Sequence, residues 1–356
     1  MRILVVNAGS SSLKLRLLGP DDALLADTDI AAPRAEVDEA ALADRIGDMG
    51  AVDAVGHRIV HGGERFRGPI RIDADVVDEL RALTDLAPLH QPKSLAALAV
   101  VRRALPDTPA VACFDTAFHA TLPPAAATYA VPASWRERWG VRRYGFHGLS
   151  HAYAARRAAE MCGARRVVTC HLGAGASLAA VRDGRSVDTT MGFTPLEGLV
   201  MATRSGSVDP GLLLWLLERE RLTVAEMAGA LEHESGLLAL AGTADMREIL
   251  GRSDDAARLA VDVYAHRLRA GIPAMAAALG GMDALVFTGG VGERAPAVRA
   301  SAADGLSFFG LALDRELNDT VEGDADVSAP HAAVRSLVIR SREDLEIARQ
   351  VRVVLG

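Results

Sequence analysis

The sequence predicts an α/β protein whose two halves share one plan. Near the start, an apolar run at residues 3–6 is typical of a buried strand. A small polar turn at residues 7–10 follows, and apolar and basic side chains then alternate over residues 13–17 like a second strand. The same strand, glycine turn and strand recur over residues 166–181. Strand and helix patterns alternate through both halves, which favours sheets covered by helices and one cleft with a loop from each side.

The small residues of these two turns suit an anion. Small side chains let backbone N–H groups approach a phosphate closely, and Lys14 adds a positive charge after the first turn. The alternative is an ordinary hairpin that binds nothing, because Gly/Ser turns are common. In the second hairpin, Asp183 and Gly184 form a dipeptide that favours a tight β-turn.

Composition excludes several classes of protein. The 356 residues are enough for two domains with large cores. The formal net charge of −7 argues against a nucleic-acid-binding protein, which is usually basic. The cysteines (Cys113, Cys162 and Cys170) lack metal-binding spacing and predict reduced thiols in a cytoplasmic protein. Because we see neither a signal-peptide pattern nor an apolar run of membrane-spanning length, we expect no membrane partner.

The first half contains a costly arginine. Strand-like residues 21–30 and helical residues 36–49 lead to a strand-like run over residues 52–63, which contains Arg58 between two histidines. An arginine in a buried strand is costly unless an anion neutralises it. Arg58 is therefore either paired with a carboxylate in the core or aimed at a carboxylate or phosphate ligand.

A carboxylate ends the next predicted strand. Helical patterns over residues 76–86 and 94–105 precede this strand, which covers residues 110–115. Asp115 is either a cap for the following element or a ligand-binding residue, since ligands bind at strand ends in α/β sheets. Residues 142–151 then concentrate aromatic, histidine and glycine residues more than a turn requires. Within them, Ser150 is predicted to cap a helix over residues 151–161.

The second half contains a long loop and a glycine turn. Residues 188–211 include a single arginine, Arg204, and long ordered loops usually have a function. A helix is predicted over residues 212–219, and a capping box at Thr223 predicts the start of the next one. Residues 243–247 begin a further helix. Residues 254–279 predict a long helix with a kink or break at Pro273. A strand over residues 282–288, a glycine turn and Pro296 at a helix start are typical of nucleotide pockets. A last strand over residues 334–339 precedes a C-terminal helix.

Taken together, these motifs resemble the acetate kinase family over nearly the whole chain. The most specific segments are residues 7–14, 57–63, 114–119, 144–151, 171–175, 191–209, 245–247, 289–293 and 343–349. The resemblance implies two duplicated actin-like (ribonuclease H-like) domains with a cleft between them, the fold of sugar kinases and heat-shock chaperones. The implied domains are residues 1–145, with a C-terminal helix of about residues 341–356 packing back on them, and residues 146–340.

The resemblance also implies an activity. It is reversible in-line transfer of a phosphoryl group from ATP to acetate, giving acetyl phosphate and ADP, with Mg²⁺ or in its place Mn²⁺, in a homodimer. A carboxylate is ionised at neutral pH and needs no general base, so catalysis rests on positioning and charge stabilisation.

Residue roles are implied by the matching motifs. Arg58 and Arg204 would bind anions, His147 would donate to the transferring phosphoryl, and Asp115 would orient Arg58 or a metal-bound water. Asn7 and Glu343 match metal positions and offer the oxygen ligands that Mg²⁺ takes. The implied lining of the acyl pocket is Arg58, Val60, Leu89, Phe146 and Pro195. The implied nucleotide-binding residues are Lys14, His171, Leu172, Gly173, Ala174, Gly175, Asp245, Met246, Arg247, Gly290, Val291, Gly292, Glu293 and Arg294.

Three positions depart from the family pattern. Ala174, Ser207 and Arg294 stand where the family usually has Asn, Asp and Asn. The loss of an amide at 174 removes one hydrogen bond to the donor, whereas Arg294 can supply a new phosphate contact. The resemblance also implies a preference for acetate, because family members that favour propionate tend to have a smaller residue in place of Val60, although one methylene is worth only about 1–3 kcal/mol of discrimination. The alternatives are a kinase for propionate or another short acid, with a donor such as GTP or pyrophosphate, and a non-catalytic nucleotide-binding relative.

Overall fold

The computed structural model describes residues 1–9, 12–31, 38–87, 91–219 and 221–356. They form two compact units. Unit 1 consists of Met1–Ala120, Phe146–Tyr153 and Arg342–Gly356, and unit 2 of Thr121–Gly145 and Ala154–Ser341. The division implied by the resemblance, residues 1–145 with a C-terminal helix of about residues 341–356 against residues 146–340, stays a prediction.

Unit 1 is built on a mixed sheet. Its strands are β1 (Ile3–Ala8), β2 (Ser12–Leu18), β3 (Leu24–Ala31), β4 (Ala54–Ile59), β5 (Ile70–Arg71) and β6 (Ala110–Phe114). Within the described residues they form a six-stranded sheet in the order β3-β2-β1-β4-β6-β5. Strands β1, β4 and β6 are parallel, whereas β2, β3 and β5 run antiparallel to their neighbours.

Unit 2 repeats this topology. Its strands are β7 (Arg166–Leu172), β8 (Ala176–Arg182), β9 (Arg185–Thr189), β10 (Ala284–Thr288), β11 (Ala325–Asp326) and β12 (Arg335–Val338). Read from its β9 edge, the sheet has the order β9-β8-β7-β10-β12-β11, which matches unit 1 strand for strand. The predicted duplicated α/β architecture is therefore confirmed.

Helices cover the sheets. In chain order they begin with α1 (Glu39–Asp48), α2 (Ala74–Ala82), α3 (Gln91–Ala104), α4 (Pro124–Ala127), α5 (Ala133–Trp139) and α6 (Gly148–Cys162). The rest are α7 (Pro210–Glu218), α8 (Val224–His233), α9 (Gly236–Ala241), α10 (Met246–Leu250), α11 (Asp255–Leu279), α12 (Gly289–Arg294), α13 (Pro296–Asp304), α14 (Arg315–Thr320) and α15 (Glu343–Leu355). No helix in the described ranges is long and apolar enough to cross a membrane.

Strand β1 shows why its sheet is covered on both faces. Successive residues of a strand face opposite sides, and both sides of β1 are apolar. Leu4 and Val6 are buried in one hydrophobic cluster, which includes residues of α1 and α3. Ile3 and Val5 are buried in another, with Ile347 of the C-terminal helix α15. Helices α1 and α3 therefore lie on one face of the sheet and α15 on the other.

Local sequence signals located several elements correctly. The capping box at Thr223 is present, and the hairpin turn has positive φ at Asp183 (49°) and Gly184 (76°). Pro273 lies inside α11 without breaking it. The predicted cap at Ser150 is wrong, because α6 already begins at Gly148, where a tertiary contact holds the chain.

Candidate active site

Arg58 is the centre of a hydrogen-bonded cluster in unit 1. It lies in β4, between Asn7 at the end of β1 and Asp115 directly after β6. Because these strands are adjacent and parallel, their carboxyl ends bring the three side chains together. Arg58 Nε and Nη2 donate to Asp115 Oδ2 at 3.1 and 2.6 Å, and Nη1 donates to Asn7 Oδ1 at 3.0 Å.

Glu343 completes this cluster from the first turn of α15. Asn7 Nδ2 donates to Glu343 Oε2 at 2.8 Å, and this oxygen lies 4.0 Å from Arg58 Nε. The N-terminal turn of a helix favours a carboxylate electrostatically. The cluster therefore contains one guanidinium, two carboxylates and one amide.

Burial and neighbouring charges set the protonation states here. The side chains of Arg58 and Asp115 are 14% and 1% exposed. Burial lowers the pKa of Arg58, but the charges of Asp115 and Glu343 raise it, and the net shift is upward. Burial raises the pKa of Asp115, while the Arg58 guanidinium opposes that rise. Since a permanently charged guanidinium donates two hydrogen bonds to it, we take Asp115 as ionised at neutral pH.

The oxygen atoms of the cluster fit a magnesium ion. No group of three or more His, Cys, Asp or Glu side chains in the described ranges forms a metal-binding cage. However, Asp115 Oδ1 is buried and has no hydrogen-bond partner in the part of the chain that the structure describes. This oxygen, the Glu343 carboxylate and the Asn7 amide form the kind of donor set that Mg²⁺ takes together with waters and substrate phosphates. The residues therefore suit a divalent cation that takes oxygen ligands.

His147 has a strained backbone. Its φ is 55°, a left-handed conformation uncommon for a residue other than glycine. The next residue, Gly148, donates its N–H to the Asp115 carbonyl oxygen at 3.1 Å. A Cβ at Gly148 would lie 2.0 Å from that oxygen, so only glycine allows the approach. Strain that the surroundings enforce is typical of active sites, and it ties His147 to the backbone of Asp115.

The residues predicted to line the acyl pocket fall in different parts of the chain. Val60 and Phe146 belong to unit 1 and are 5% and 1% exposed. Phe146 packs edge-on against His61, with ring centroids 5.5 Å apart. Pro195 belongs to unit 2, and Leu89 lies outside the described residues.

Arg204, in unit 2, contrasts with Arg58. Its Nη1 donates to the Pro195 carbonyl oxygen at 3.2 Å and lies 3.8 Å from Met201 Sδ. It forms no ion pair with any carboxylate that the structure describes. Burial lowers the pKa of Arg204, and the charge of Glu232 opposes this. Ser207 is one of the three positions that depart from the family pattern. Its hydroxyl oxygen accepts a hydrogen bond from the backbone N–H of Gly198 at 3.0 Å.

A cavity of about 480 Å³ lies in unit 2, beside the glycine turns that follow β7 and β10. It contains eight of the predicted nucleotide-binding residues: Gly173, Ala174, Asp245, Met246, Arg247, Gly290, Val291 and Arg294. Sequence reasoning missed the rest of its lining, which is mostly apolar: Ala202, Leu237, Ala244, Leu250, Tyr264 and Ala295. In the sequence, isolated apolar residues like these look like ordinary core positions.

The other predicted nucleotide-binding residues do not line this cavity. They are His171, Leu172, Gly175, Gly292 and Glu293, together with Lys14, which lies in unit 1. Leu172 is fully buried. Glu293 Oε1 accepts the N–H groups of Gly289 and Ser341 at 3.1 and 2.9 Å, so its carboxylate braces the glycine turn. Lys14 pairs with Asn7 in the β1–β2 ladder.

The two arginines of the cavity differ in charge pairing. Arg247 is paired with Asp245, and that hydrogen-bonded contact lowers the pKa of Asp245 to about 2. Arg294 is exposed and pairs with no carboxylate in the described part of the chain. Its Nη2 lies 2.9 Å from the position that a Cβ would take at Gly290, at the glycine-turn end of the cavity. Arg294 is thus the cation of this cavity that a bound anion can reach without competition.

Comparison with known proteins supports one family throughout. Residues 40–349 match the model of the acetokinase family. The acetate kinase of Trichormus variabilis is 41% identical over 399 aligned positions, which cover 98% of each chain. The structure of Porphyromonas gingivalis acetate kinase matches with a TM-score of 0.90 at 35% identity, covering 100% of both chains. A propionate kinase from Francisella tularensis matches with a TM-score of 0.91 at 33% identity, covering 99% of this chain and 100% of that one.

These matches extend far beyond a shared architecture, because they combine high identity with nearly complete coverage of every chain compared. They agree with the duplicated sheet of the structure. The chain belongs to the acetokinase family, whose acetate kinases are phosphotransferases with a carboxyl group as acceptor.

Proposed function

We propose that this protein catalyses reversible transfer of a phosphoryl group from ATP to acetate, which gives acetyl phosphate and ADP. The observation that carries the proposal is the contrast between two arginines. Arg58 is neutralised by Asp115, whereas Arg204 is a half-buried cation without an ion-pair partner in the described ranges. An unpaired cation removed from water is costly, so Arg204 is expected to bind an anion.

Arg204 has N–H groups in the arrangement that binds such an anion. Its Nη1 is engaged by Pro195, which leaves the Nε and Nη2 groups as a two-donor edge. Such an edge matches two oxygens of a carboxylate or of a phosphoryl group. An ionised acetate attacks phosphorus directly, so no side chain has to remove a proton first.

Asp115 and His147 then have supporting roles. Asp115 Oδ2 already accepts two N–H groups from Arg58, so we infer that Asp115 orients this arginine and does not act as a base. The imidazole of His147, held by its strained backbone, would donate a hydrogen bond to an oxygen of the transferring phosphoryl.

We infer that Asn7 and Glu343 bind Mg²⁺, with the unpartnered Asp115 Oδ1 as a further oxygen donor. A bound Mg²⁺ neutralises charge on the donor phosphates, and Mn²⁺ accepts the same oxygen ligands. The hydrogen bond between Asn7 Nδ2 and Glu343 keeps both oxygens oriented before the ion arrives.

The cavity in unit 2 favours a nucleotide as donor. Its mostly apolar walls suit a base and ribose, whereas pyrophosphate has no apolar group to fill about 480 Å³. Arg294 lies at the glycine-turn end of the cavity, where the phosphates of such a donor are proposed to bind. The turn at residues 173–175 is proposed to contact those phosphates as well, and Lys14 stays a predicted phosphate-binding residue.

The preference for acetate over propionate is proposed from Val60. Its branched side chain is buried, and a smaller residue there would leave room for the extra methylene of propionate. A related propionate kinase has an equally similar overall structure, so the fold alone does not distinguish the two acids.

We further propose a cytoplasmic homodimer. All three cysteines lie in the described part of the chain and are free thiols, as reducing conditions require. Helix α7 is apolar yet has no buried residue, and Leu212, Leu214 and Trp215 are 47%, 58% and 48% exposed. A helix that is apolar on all sides is normally covered, and we infer that a second copy covers it. Light scattering should show a dimer that Leu214→Glu dissociates.

The decisive test is acyl phosphate formation, trapped with hydroxylamine. Acetate, propionate and butyrate would each be combined with ATP, GTP or pyrophosphate, with and without Mg²⁺. We expect the fastest turnover with acetate, ATP and Mg²⁺. A protein that binds ADP but forms no acyl phosphate with any pair would contradict the proposal and indicate a non-catalytic relative.

A further inference from the structure

We propose that Glu197, together with Tyr129 and Arg143, positions the guanidinium of Arg204 by holding the chain segment that contains Pro195. This inference rests on the anion-binding role proposed for Arg204. Glu197 touches neither substrate in this arrangement. It acts through Pro195, and it is therefore a positioning residue.

Both carboxylate oxygens of Glu197 are engaged. Oε1 accepts a hydrogen bond from Arg143 Nη2 at 2.8 Å, and Oε2 accepts one from Tyr129 Oη. The Arg143 side chain is 17% exposed and that of Glu197 is 36% exposed, so the ion pair is partly shielded from water. Arg143 Nη1 also donates to the carbonyl oxygens of Thr190 and Met191 at 3.2 and 3.0 Å. One arginine thus ties both ends of the segment together.

Tyr129 fixes the middle of the same segment. Its Oη accepts the backbone N–H of Phe193 at 3.0 Å while donating to Glu197. Gly192 leaves room for this arrangement, because a Cβ there would lie 1.8 Å from Glu197 Oε2 and 2.1 Å from Tyr129 Oη. Residues 190–197 are therefore held at several points by three side chains. The Glu197 carboxylate is hydrogen-bonded to both Tyr129 and Arg143, so it connects these two side chains.

Pro195 lies inside this held segment and contacts Arg204 directly. Its carbonyl oxygen accepts Arg204 Nη1 at 3.2 Å, and the other side-chain contact described for Arg204 is the weak one to Met201 Sδ. The backbone of Arg204 is fixed separately, since its carbonyl accepts the N–H of Met201 at 3.2 Å. A shift of Pro195 would therefore rotate the guanidinium on a fixed backbone. Rotation would turn the free Nε and Nη2 edge away from its anion.

The effect should be selective for the acid and the transfer step. None of the three network side chains lines the cavity proposed for the nucleotide. Glu197→Gln keeps the shape of the side chain and removes its charge. We expect kcat/KM for acetate to fall about tenfold to a hundredfold, since misplacement of a catalytic group by about 1 Å has such effects. The Kd for ADP should stay unchanged.

A double-mutant cycle tests whether Glu197 acts through Arg204. With Arg204→Lys as background, Glu197→Gln should lower kcat/KM for acetate by a much smaller factor than in the wild type, because the guanidinium is already gone. Losses that multiply in the double variant would overturn the proposal. Tyr129→Phe removes one hydrogen bond of the network and is less disruptive. It should lower kcat/KM for acetate by a smaller factor and leave the Kd for ADP unchanged. If Tyr129→Phe and Glu197→Gln both fold and both keep wild-type kinetics, the proposal is also overturned.

Glu226→Gln is the matched control. Glu226 belongs to the capping box of α8, so this variant loses a charged hydrogen bond elsewhere in unit 2. It should lower the melting temperature and leave kcat/KM for acetate unchanged. If Glu226→Gln reproduces the kinetic loss, general destabilisation explains the effect and the positioning role fails. A wild-type protein that forms no acetyl phosphate would instead refute the proposed function itself.

Discussion

The Nη2 atom of Arg58 donates a hydrogen bond to Asp115 Oδ2 at 2.6 Å, although the two residues are 57 positions apart in the chain. The contact confirms that Arg58 pairs with a buried carboxylate, whereas its role in binding a ligand stays a prediction. Arg204 has no such partner in the described ranges. The two arginines therefore differ in charge pairing, because Arg58 belongs to a hydrogen-bonded cluster with two carboxylates and Arg204 contacts a backbone carbonyl.

Asp115→Asn should lower kcat while leaving the pH profile unchanged. The amide cannot hold Arg58 with two charge-assisted hydrogen bonds, and we expect a loss of about a hundredfold, as for removal of one electrostatic contact in other enzymes. Initial rates from pH 6 to 9 would check this. If Asp115 were a general base, the variant would lose an acidic limb from the profile.

Arg204→Ala should reduce turnover by about a hundredfold to a thousandfold without unfolding the protein, because an anion-binding fork is lost from the transition state. Steady-state rates and circular dichroism would be measured together. Arg204→Lys should recover little, since an ammonium cannot offer two parallel donors. A folded, fully active Arg204→Ala protein would refute the assigned role.

Arg294→Asn should weaken ADP binding by about tenfold to a hundredfold and leave adenosine binding unchanged, because a charge-assisted contact to a phosphate contributes about 1.5–3 kcal/mol. Calorimetric titrations with both ligands would separate a phosphate contact from a base contact. The matched variant Arg315→Asn removes an exposed arginine that is paired with Asp304 away from the cavity. Equal losses for adenosine and ADP would assign Arg294 to the nucleoside instead.

Val60→Ala should shift the acid preference towards propionate. Removing two methyl groups creates space for one methylene, and the ratio of kcat/KM for propionate over acetate should rise about tenfold. The control is Val55→Ala, which empties a buried position in the β1–β4 core and should lower stability alone. An unchanged ratio in Val60→Ala would remove Val60 from the acyl pocket.

His57 should make the fold sensitive to acid. Burial, helped by the charge of Arg102, lowers its pKa from 6.5 to about 3. Above pH 6.5 both folded and unfolded states keep His57 neutral. As the pH falls below 6.5, the unfolded state takes up a proton that the folded state excludes, so stability is lost progressively towards pH 3. Between pH 7 and pH 5 this costs about 2 kcal/mol.

Urea unfolding at pH 7 and pH 5 tests this. His57→Leu should reduce the difference in unfolding free energy between the two pH values by about 2 kcal/mol. His233→Leu, at an exposed position, should leave the difference unchanged. A wild-type difference that survives in His57→Leu would assign the acid sensitivity to another group, such as His61, whose pKa burial lowers to about 4.

Sequence reasoning succeeded where neighbouring residues decide the structure. The Asp183–Gly184 turn and the Thr223 capping box formed as predicted, because each depends on a few adjacent backbone groups. It failed at Ser150, where α6 begins two residues earlier because Gly148 is bonded to the Asp115 carbonyl. A contact with a distant strand overrode a local capping signal there.

By itself the sequence determined the alternation of strands and helices, the two matching hairpins and the residue types of the proposed site. These follow from periodicity and from motifs that are contiguous in the chain. Only the tertiary structure decided that Arg58 is paired with Asp115 while Arg204 has no described carboxylate, and which apolar side chains wall the cavity. The reason is physical: the cost of burying a charge depends on the groups that distant strands bring beside it, and a linear pattern contains no distances.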